Sequence, residues 1–404
     1  MSGFSSLRVA TFLSQRAITR GNRGITFLTV ALMAVIYAEL LFVPSLIQGA
    51  TNQIQLEFRQ NVTSNMTITP IGSDVTIPHP DALIAQARTT RDVLAVAATM
   101  LAGSQISYGN RSNSWPVLAI DPKSYAQTFA TPHSMVEGSF LDPGVNNEIV
   151  LGIGIAGTGR MNVATFGSSL QTVRVGDKVN VTLQGGEIHR FTVKGIYETD
   201  LTQANTTAFI TAATIRQLIP SAAGEASTIF VKTKQTGDEN RVIEGLRRER
   251  HDVRYQSWET LSLAVKDITG SFDIIKSILN AVSLFVAAIT VFIVTYVDLI
   301  NRRRTMGIER AIGISGPAIT ASYGVKAIAF ALVGVVLGAG LFFSIAIPLV
   351  NHFPFQFPIG PVTLSVTVQE LRQDAMILIA VALIGAVVPA WRAVRTRLLT
   401  AIWG

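Results

Sequence analysis

The sequence predicts a membrane α-helical protein: four transmembrane helices and a large α+β extracytoplasmic domain that contains an inserted β-rich lobe. Three observations predict it. Mean hydropathy is +0.40, with 49% hydrophobic and 15% charged residues over 404 positions, too apolar for a soluble chain of this length. Four stretches, Ile25 to Gly49, Ile274 to Leu299, Val325 to Val350 and Ala375 to Trp391, each approach the ~20 apolar residues that cross a bilayer as helix. The basic residues lie unevenly between them.

The first 23 residues carry Arg8, Arg16, Arg20 and Arg23 and no acid. The apolar stretch after them is longer than the roughly 7–15-residue core of a cleavable signal peptide, so a retained helix is expected over 24–50. Phe4, Leu7, Leu13, Ala17 and Ile18 are interleaved with the arginines. They suit either a short amphipathic helix in the cytoplasmic interface or a frayed leader.

Lys and Arg near span ends stay in the cytoplasm. Residues 301–322 hold Arg302, Arg303, Arg304 and Arg310 against Glu309, and 392–404 hold Arg392, Arg395 and Arg397 with no acid. Residues 51–273 carry 19 basic and 21 acidic side chains, and 351–374 is close to neutral. Both termini and the 301–322 loop are therefore expected in the cytoplasm and 51–273 outside it. The net charge of +7 becomes a signal of topology, and nucleic-acid binding loses its support.

Within 51–273, Asp81 to Arg88 after Pro80 and Gly237 to Leu246 read as short helices. Glu148 to Leu151 reads as a strand. Val179, Val181 and Leu183, the Gly185-Gly186 turn, then Phe191 and Val193 read as a hairpin. The expectation is a mixed α/β lobe at 51–135 and 223–260 and a β-rich lobe at about 136–222. From Ser257 a helical pattern without Pro runs into the second span, 274–300. The remaining spans are expected at 323–350 and 375–391, joined by the short outer loop 351–374.

Chemistry-bearing motifs are few. With no cysteine, disulfides and thiolate sites are excluded. Gly152, Gly154 and Gly157 match the spacing of a dinucleotide fingerprint with Asp177 downstream, but no second strand of a βαβ unit is visible, and the glycines read as loop. No P-loop and no nucleophile elbow occur, and His79, His133, His189, His251 and His352 lack metal-ligand spacing. Asn61, Asn65, Asn110, Asn180 and Asn205 open glycosylation tripeptides, a weak signal. Glu39 lies inside the first span, where a carboxylate costs about 2.5 kcal/mol or more, so a functional role is expected, with Lys276 as a candidate partner.

The loop between spans two and three is more ordered in sequence than an anchor needs. Asn301-Arg-Arg-Arg-Thr-Met-Gly-Ile-Glu-Arg-Ala-Ile-Gly-Ile-Ser-Gly316 opens basic, ends in glycine and reads as an exposed helix that docks something. It resembles the R-R-R-E-I-G-x-x-R-A-I-G coupling helix of FtsX-like and MacB-like ABC transporter permeases, relatives of the lipoprotein-release permeases. Val388-Pro-Ala-Trp-Arg-Ala393 is similar to the family's P-A-x-x-A at the end of the last span. Glu148 to Gly152 and Val175 to Val179 are similar to its external strand and turn. Thr305 and Glu309 depart from the family pattern, which has Glu and an apolar residue there, and the C-terminal run lacks the family's Pro.

The resemblance implies a non-catalytic permease in the cell membrane, paired with a second permease copy as homo- or heterodimer. A separate cytoplasmic ABC ATPase would hold ATP and Mg; this chain would hold no cofactor. Arg302, Arg303, Arg304, Gly307, Ile308, Glu309, Arg310, Ala311 and Gly313 would couple to that ATPase and move the external domain, exporting or extracting a substrate on the outer side. The alternative is an FtsX-type mechanotransmitting regulator, without cargo, of an extracytoplasmic hydrolase. A membrane-anchored external enzyme is the third reading, and the sequence offers it no nucleophile and base.

Overall fold

The computed structural model describes residues 11–15, 23–72, 74–157, 167–183, 186–220, 224–248, 250, 252–261, 263–301, 303–357 and 360–394. It divides into two compact units, one of Met1–Thr51, Thr269–Phe355 and Pro361–Gly404, the other of Asn52–Ile268 and Gln356–Gly360. The interfacial helix expected over 1–23 and the tail arginines Arg395 and Arg397 lie largely outside the described residues.

Among the described residues, four helices are long and apolar enough to cross a membrane: Arg23–Thr63, Ile274–Asn301, Gly316–His352 and Val368–Val394. They are spans one to four. The first two belong to longer helices than a bilayer needs. Arg23–Phe58 has 36 residues and Leu263–Asn301 has 39, about twice the ~20 that suffice. Span four begins with a capping box, in which the Glu370 amide donates to Thr367 Oγ1 (3.2 Å) and the Thr367 amide to Glu370 Oε2 (3.0 Å).

Met33, Tyr37, Leu40 and Leu41 of span one, Ala287 and Val291 of span two, Ala327, Ala331 and Phe342 of span three and Leu378, Ala382 and Ala386 of span four form the shared core. Small residues set its spacing. A Cβ at Gly334 or Gly338 would collide with Met33 or with the Ala34 carbonyl, so spans one and three cross at backbone contact. Span two is the least covered, with 11% of its apolar window buried against 44%, 28% and 33% for the others.

The second unit is built on strands β1 (Met66–Pro70), β2 (Ile77–Pro78), β3 (Val93–Tyr108), β4 (Arg111–Ile120), β5 (Met135–Gly138), β6 (Glu148–Gly152), β7 (Lys178–Leu183), β8 (Ile188–Tyr197), β9 (Ala208–Thr211), β10 (Glu225–Ala226), β11 (Thr228–Thr233) and β12 (Val253–Ser257). The main sheet runs β12-β1-β11-β3-β4-β9-β6-β8-β5. Because β7 pairs with both β8 and β3, the pairings β3-β4-β9-β6-β8-β7 return to β3 and close a ring. Ile106, Trp115, Val117, Leu151, Val181, Phe191, Val193 and Ile210 belong to the core of this ring.

The rest of the sheet carries helices Pro80–Thr89 and Glu239–Arg247, whose Leu83, Ala87, Val242 and Leu246 pack on Met66, Ile68, Val96 and Val231. Helix Pro122–Thr128 lies in a third core with Ala97, Phe129, Val150, Tyr197 and Phe209; its N-cap Asp121 accepts the Ser124 amide at 3.1 Å.

The lobe boundary expected at 135 is therefore displaced. The long strand β3 contributes Val96 to the mixed lobe and Ala102 and Ile106 to the ring, so the ring recruits β3 and β4 from the first lobe's expected range. One sheet serves both lobes.

Two further expectations change. The strand before the glycines does have a parallel neighbour, since β6 pairs with β8. Gly152 and Gly154 nonetheless abut the Asn205 carbonyl, which a Cβ at Gly154 would meet at 2.7 Å, so the protein itself occupies the space above them. Of the glycosylation tripeptides, Asn61, Asn65 and Asn205 turn inward. Their amides donate to Glu57 (2.9 Å), Glu239 (2.9 Å) and the Thr199 carbonyl (2.8 Å).

Candidate coupling site

The loop after span two folds as the helix Arg303–Ala311. Gly313 ends it: the Gly313 amide donates to the Arg310 carbonyl (3.1 Å) and the Ile314 amide to the Glu309 carbonyl (3.0 Å), while Gly313 takes φ +95°. This is a Schellman stop, which favours a residue without a Cβ at that position. Ser315 and Pro317 then start span three.

The helix has an inner and an outer face. Met306 is buried with Leu299 of span two, Ile319 and Tyr323 of span three and Ala390 of span four. The Tyr323 hydroxyl lies 3.9 Å from the Met306 sulfur, and Arg310 Nη1 donates to the Val394 carbonyl at 2.8 Å. The short helix is thereby tied to spans two, three and four. Facing away, Ile308 is 54% and Ile312 73% exposed, one helical turn apart, with Ala311 exposed between them.

The expected coupling residues thus separate by role. Gly307 is buried beside Met306, Glu309 and Arg310 are half-buried, and Ile308 and Ala311 are exposed. Arg302 and the side chains of Arg303 and Arg304 lie outside the described residues.

Glu39 is exposed on span one and accepts a hydrogen bond from Ser283 Oγ of span two at 2.8 Å. The suggested partner Lys276 goes elsewhere: its Nζ lies 2.9 Å from Glu370 Oε1 of span four. Depth separates them: Ser283, which Glu39 reaches, lies seven residues along span two from Lys276, about 10 Å at the rise of a helix.

Sequence reasoning missed a second ion pair. Lys326 Nζ of span three meets Asp298 Oδ2 of span two at 2.7 Å, with side chains 11% and 8% exposed. Each is a lone charge near the start or end of an apolar run, and that isolation was the available signal.

The MacB-like periplasmic core domain family matches residues 26–249, and the FtsX-like permease C-terminal family matches 277–398. The first match alone covers more than half of the chain. This chain belongs to the FtsX-like/MacB-like ABC transporter permeases. Among similar members of known sequence is the macrolide export ATP-binding/permease protein MacB of Neisseria meningitidis serogroup A, 30% identical over 152 residues, 35% of this chain and 23% of the relative. MacB of Neisseria gonorrhoeae is 30% identical over 144 residues, 33% of this chain and 22% of that protein. The chain thus aligns with less than a quarter of the curated relatives' length.

Two solved structures are similar to this permease at low identity. The periplasmic region of MacB from Actinobacillus actinomycetemcomitans is 15% identical with a TM-score of 0.36, over 52% of this chain and 97% of that one. The extracellular domain of the noncanonic ABC-type transporter YknZ from Gram-positive bacteria is 11% identical with a TM-score of 0.35, over 48% and 100%.

Proposed function

We propose that this permease is a non-catalytic membrane subunit that converts ATP hydrolysis in a separate cytoplasmic ABC ATPase into movement of its extracytoplasmic domain. ATP and Mg belong to that partner, and two permease copies act together. The termini and the loop helix face the cytoplasm, and the work is delivered to a substrate on the outer side.

One observation carries this reading. The helix Arg303–Ala311 offers Ile308 and Ile312 outward while Met306 and Arg310 tie it to three spans. A surface anchored in this way passes a push on its outer face directly to span ends.

The test is co-purification of the full chain from native membranes, followed by an ATPase assay in lipid nanodiscs. A co-purifying P-loop ATPase whose hydrolysis rate depends on the permease supports the reading; its absence defeats it. Capture of an extracytoplasmic hydrolase with no stimulated export would instead favour the cargo-free regulator.

A further inference from the structure

We propose that the Asp298–Lys326 pair is a positioning device that sets where the loop helix sits, making the inner ends of spans two and three and that helix a single moving piece. For its consequence in ATP coupling this rests on the reading above; the positional claim rests on geometry alone.

Asp298 lies three residues before the end of its helix at Asn301, and Lys326 lies on span three one turn beyond Tyr323, whose hydroxyl meets the Met306 sulfur. Asp298, Lys326, Tyr323, Met306, Thr305 and Glu309 line one cavity of about 50 Å³. The pair therefore borders the loop helix itself, and a second cavity of about 30 Å³, also lined by Asp298 and Lys326, reaches Thr29 and Met33 of span one.

Stability is a poor reason for such a pair, since desolvating two charges cancels most of their attraction. Position is a better one. Span two has only 11% of its apolar window buried, so little of its length is held by packing within the chain. Its other ion pair, Lys276–Glu370, is 22 residues away, about 33 Å at the rise of a helix, roughly the hydrocarbon thickness. The outer pair is more exposed, at 22% and 26%. The buried inner pair is the tie that borders the helix.

The sequence has no cysteine, so spin labels can be placed at Ile312→Cys and Leu332→Cys without background. In the full chain in nanodiscs, the label-to-label distance distribution should be narrow. The doubly neutral variant Asp298→Asn/Lys326→Gln removes both charges of the pair together and is expected to insert normally, yet to broaden that distribution roughly twofold. The exchanged variant Asp298→Lys/Lys326→Asp should narrow it again. An unchanged distribution in the doubly neutral variant overturns the proposal, as does failure of that variant to insert, which would make the pair merely structural. If wild type binds no ATPase, the functional reading fails while the distance result still decides the positional claim.

Discussion

The Tyr323 hydroxyl of span three and the Met306 sulfur of the loop helix lie 3.9 Å apart, inside a buried cluster that also draws on spans two and four. The loop between spans two and three is thereby part of the bundle. Met306→Ala should release it, lowering apparent stability by about 2–3 kcal/mol in a thermal or denaturant melt, while Met306→Leu should retain most of it. Equal loss in both variants would show that the sulfur, not the packed volume, matters.

Ile308 and Ile312 should behave in the opposite way. Both are exposed, so Ile308→Asp or Ile312→Asp should shift stability by no more than about 0.5 kcal/mol. Each should nevertheless abolish retention of the ATPase on the purified permease. Retention at the wild-type level in both variants would remove this face from the interface.

Membrane orientation can be read with single cysteines. Ile308→Cys should react with an impermeant maleimide only in inverted vesicles, and Asn110→Cys, on the exposed β3–β4 turn, only in right-side-out ones. The reverse pattern would invert the topology proposed from the arginines.

Gly338 stands where a Cβ would lie 3.0 Å from Tyr37 Cβ and closer still to the Ala34 carbonyl. Gly338→Val should separate spans one and three and cost about 1–3 kcal/mol, read as a lower melting temperature in detergent. Gly340, whose Cβ would meet nothing, should accept the same change.

The external domain should be sensitive to alkali. Burial raises the Tyr125 hydroxyl above its usual value and raises Tyr197 well above it, with Tyr125 adding to the latter. Bonds to Asp142 and Glu148 raise Lys194 as well. A group held above its unfolded value contributes stability that is complete below that value, near pH ~10, and is lost as pH rises through the folded one. Tyrosinate absorbance should therefore lag in the folded chain and then appear together with unfolding. Tyr197→Phe, losing a hydroxyl 2.6 Å from the Ala204 carbonyl and 2.9 Å from that of Thr207, should cost about 1–2 kcal/mol. Early titration of these tyrosines in the intact domain would contradict their burial.

Much of this was legible locally. The β7–β8 hairpin follows from alternation at Val179, Val181, Phe191 and Val193, and the stop of the loop helix from Gly313. Strand β3 was not legible: Val-Leu-Ala-Val-Ala-Ala-Thr-Met-Leu-Ala-Gly-Ser crosses from one core to another, so no single alternation runs its length. Ring closure depends on β3 meeting β7, about 75 residues away along the chain, and hydrophobic period carries no information about such a partner.

The four apolar spans, the basic, glycine-terminated loop helix and the carboxylate of Glu39 inside an apolar run all follow from residue order, because helix period, capping and hydropathy act over a few residues. Which charges meet is a property of the packed bundle. Lys276 pairs with Glu370 rather than Glu39, and Asp298 with Lys326, because partner choice depends on the depth and rotation of each helix. Those are set by close crossings such as Gly334 on Met33 and Gly338 on Ala34, between segments about 300 residues apart.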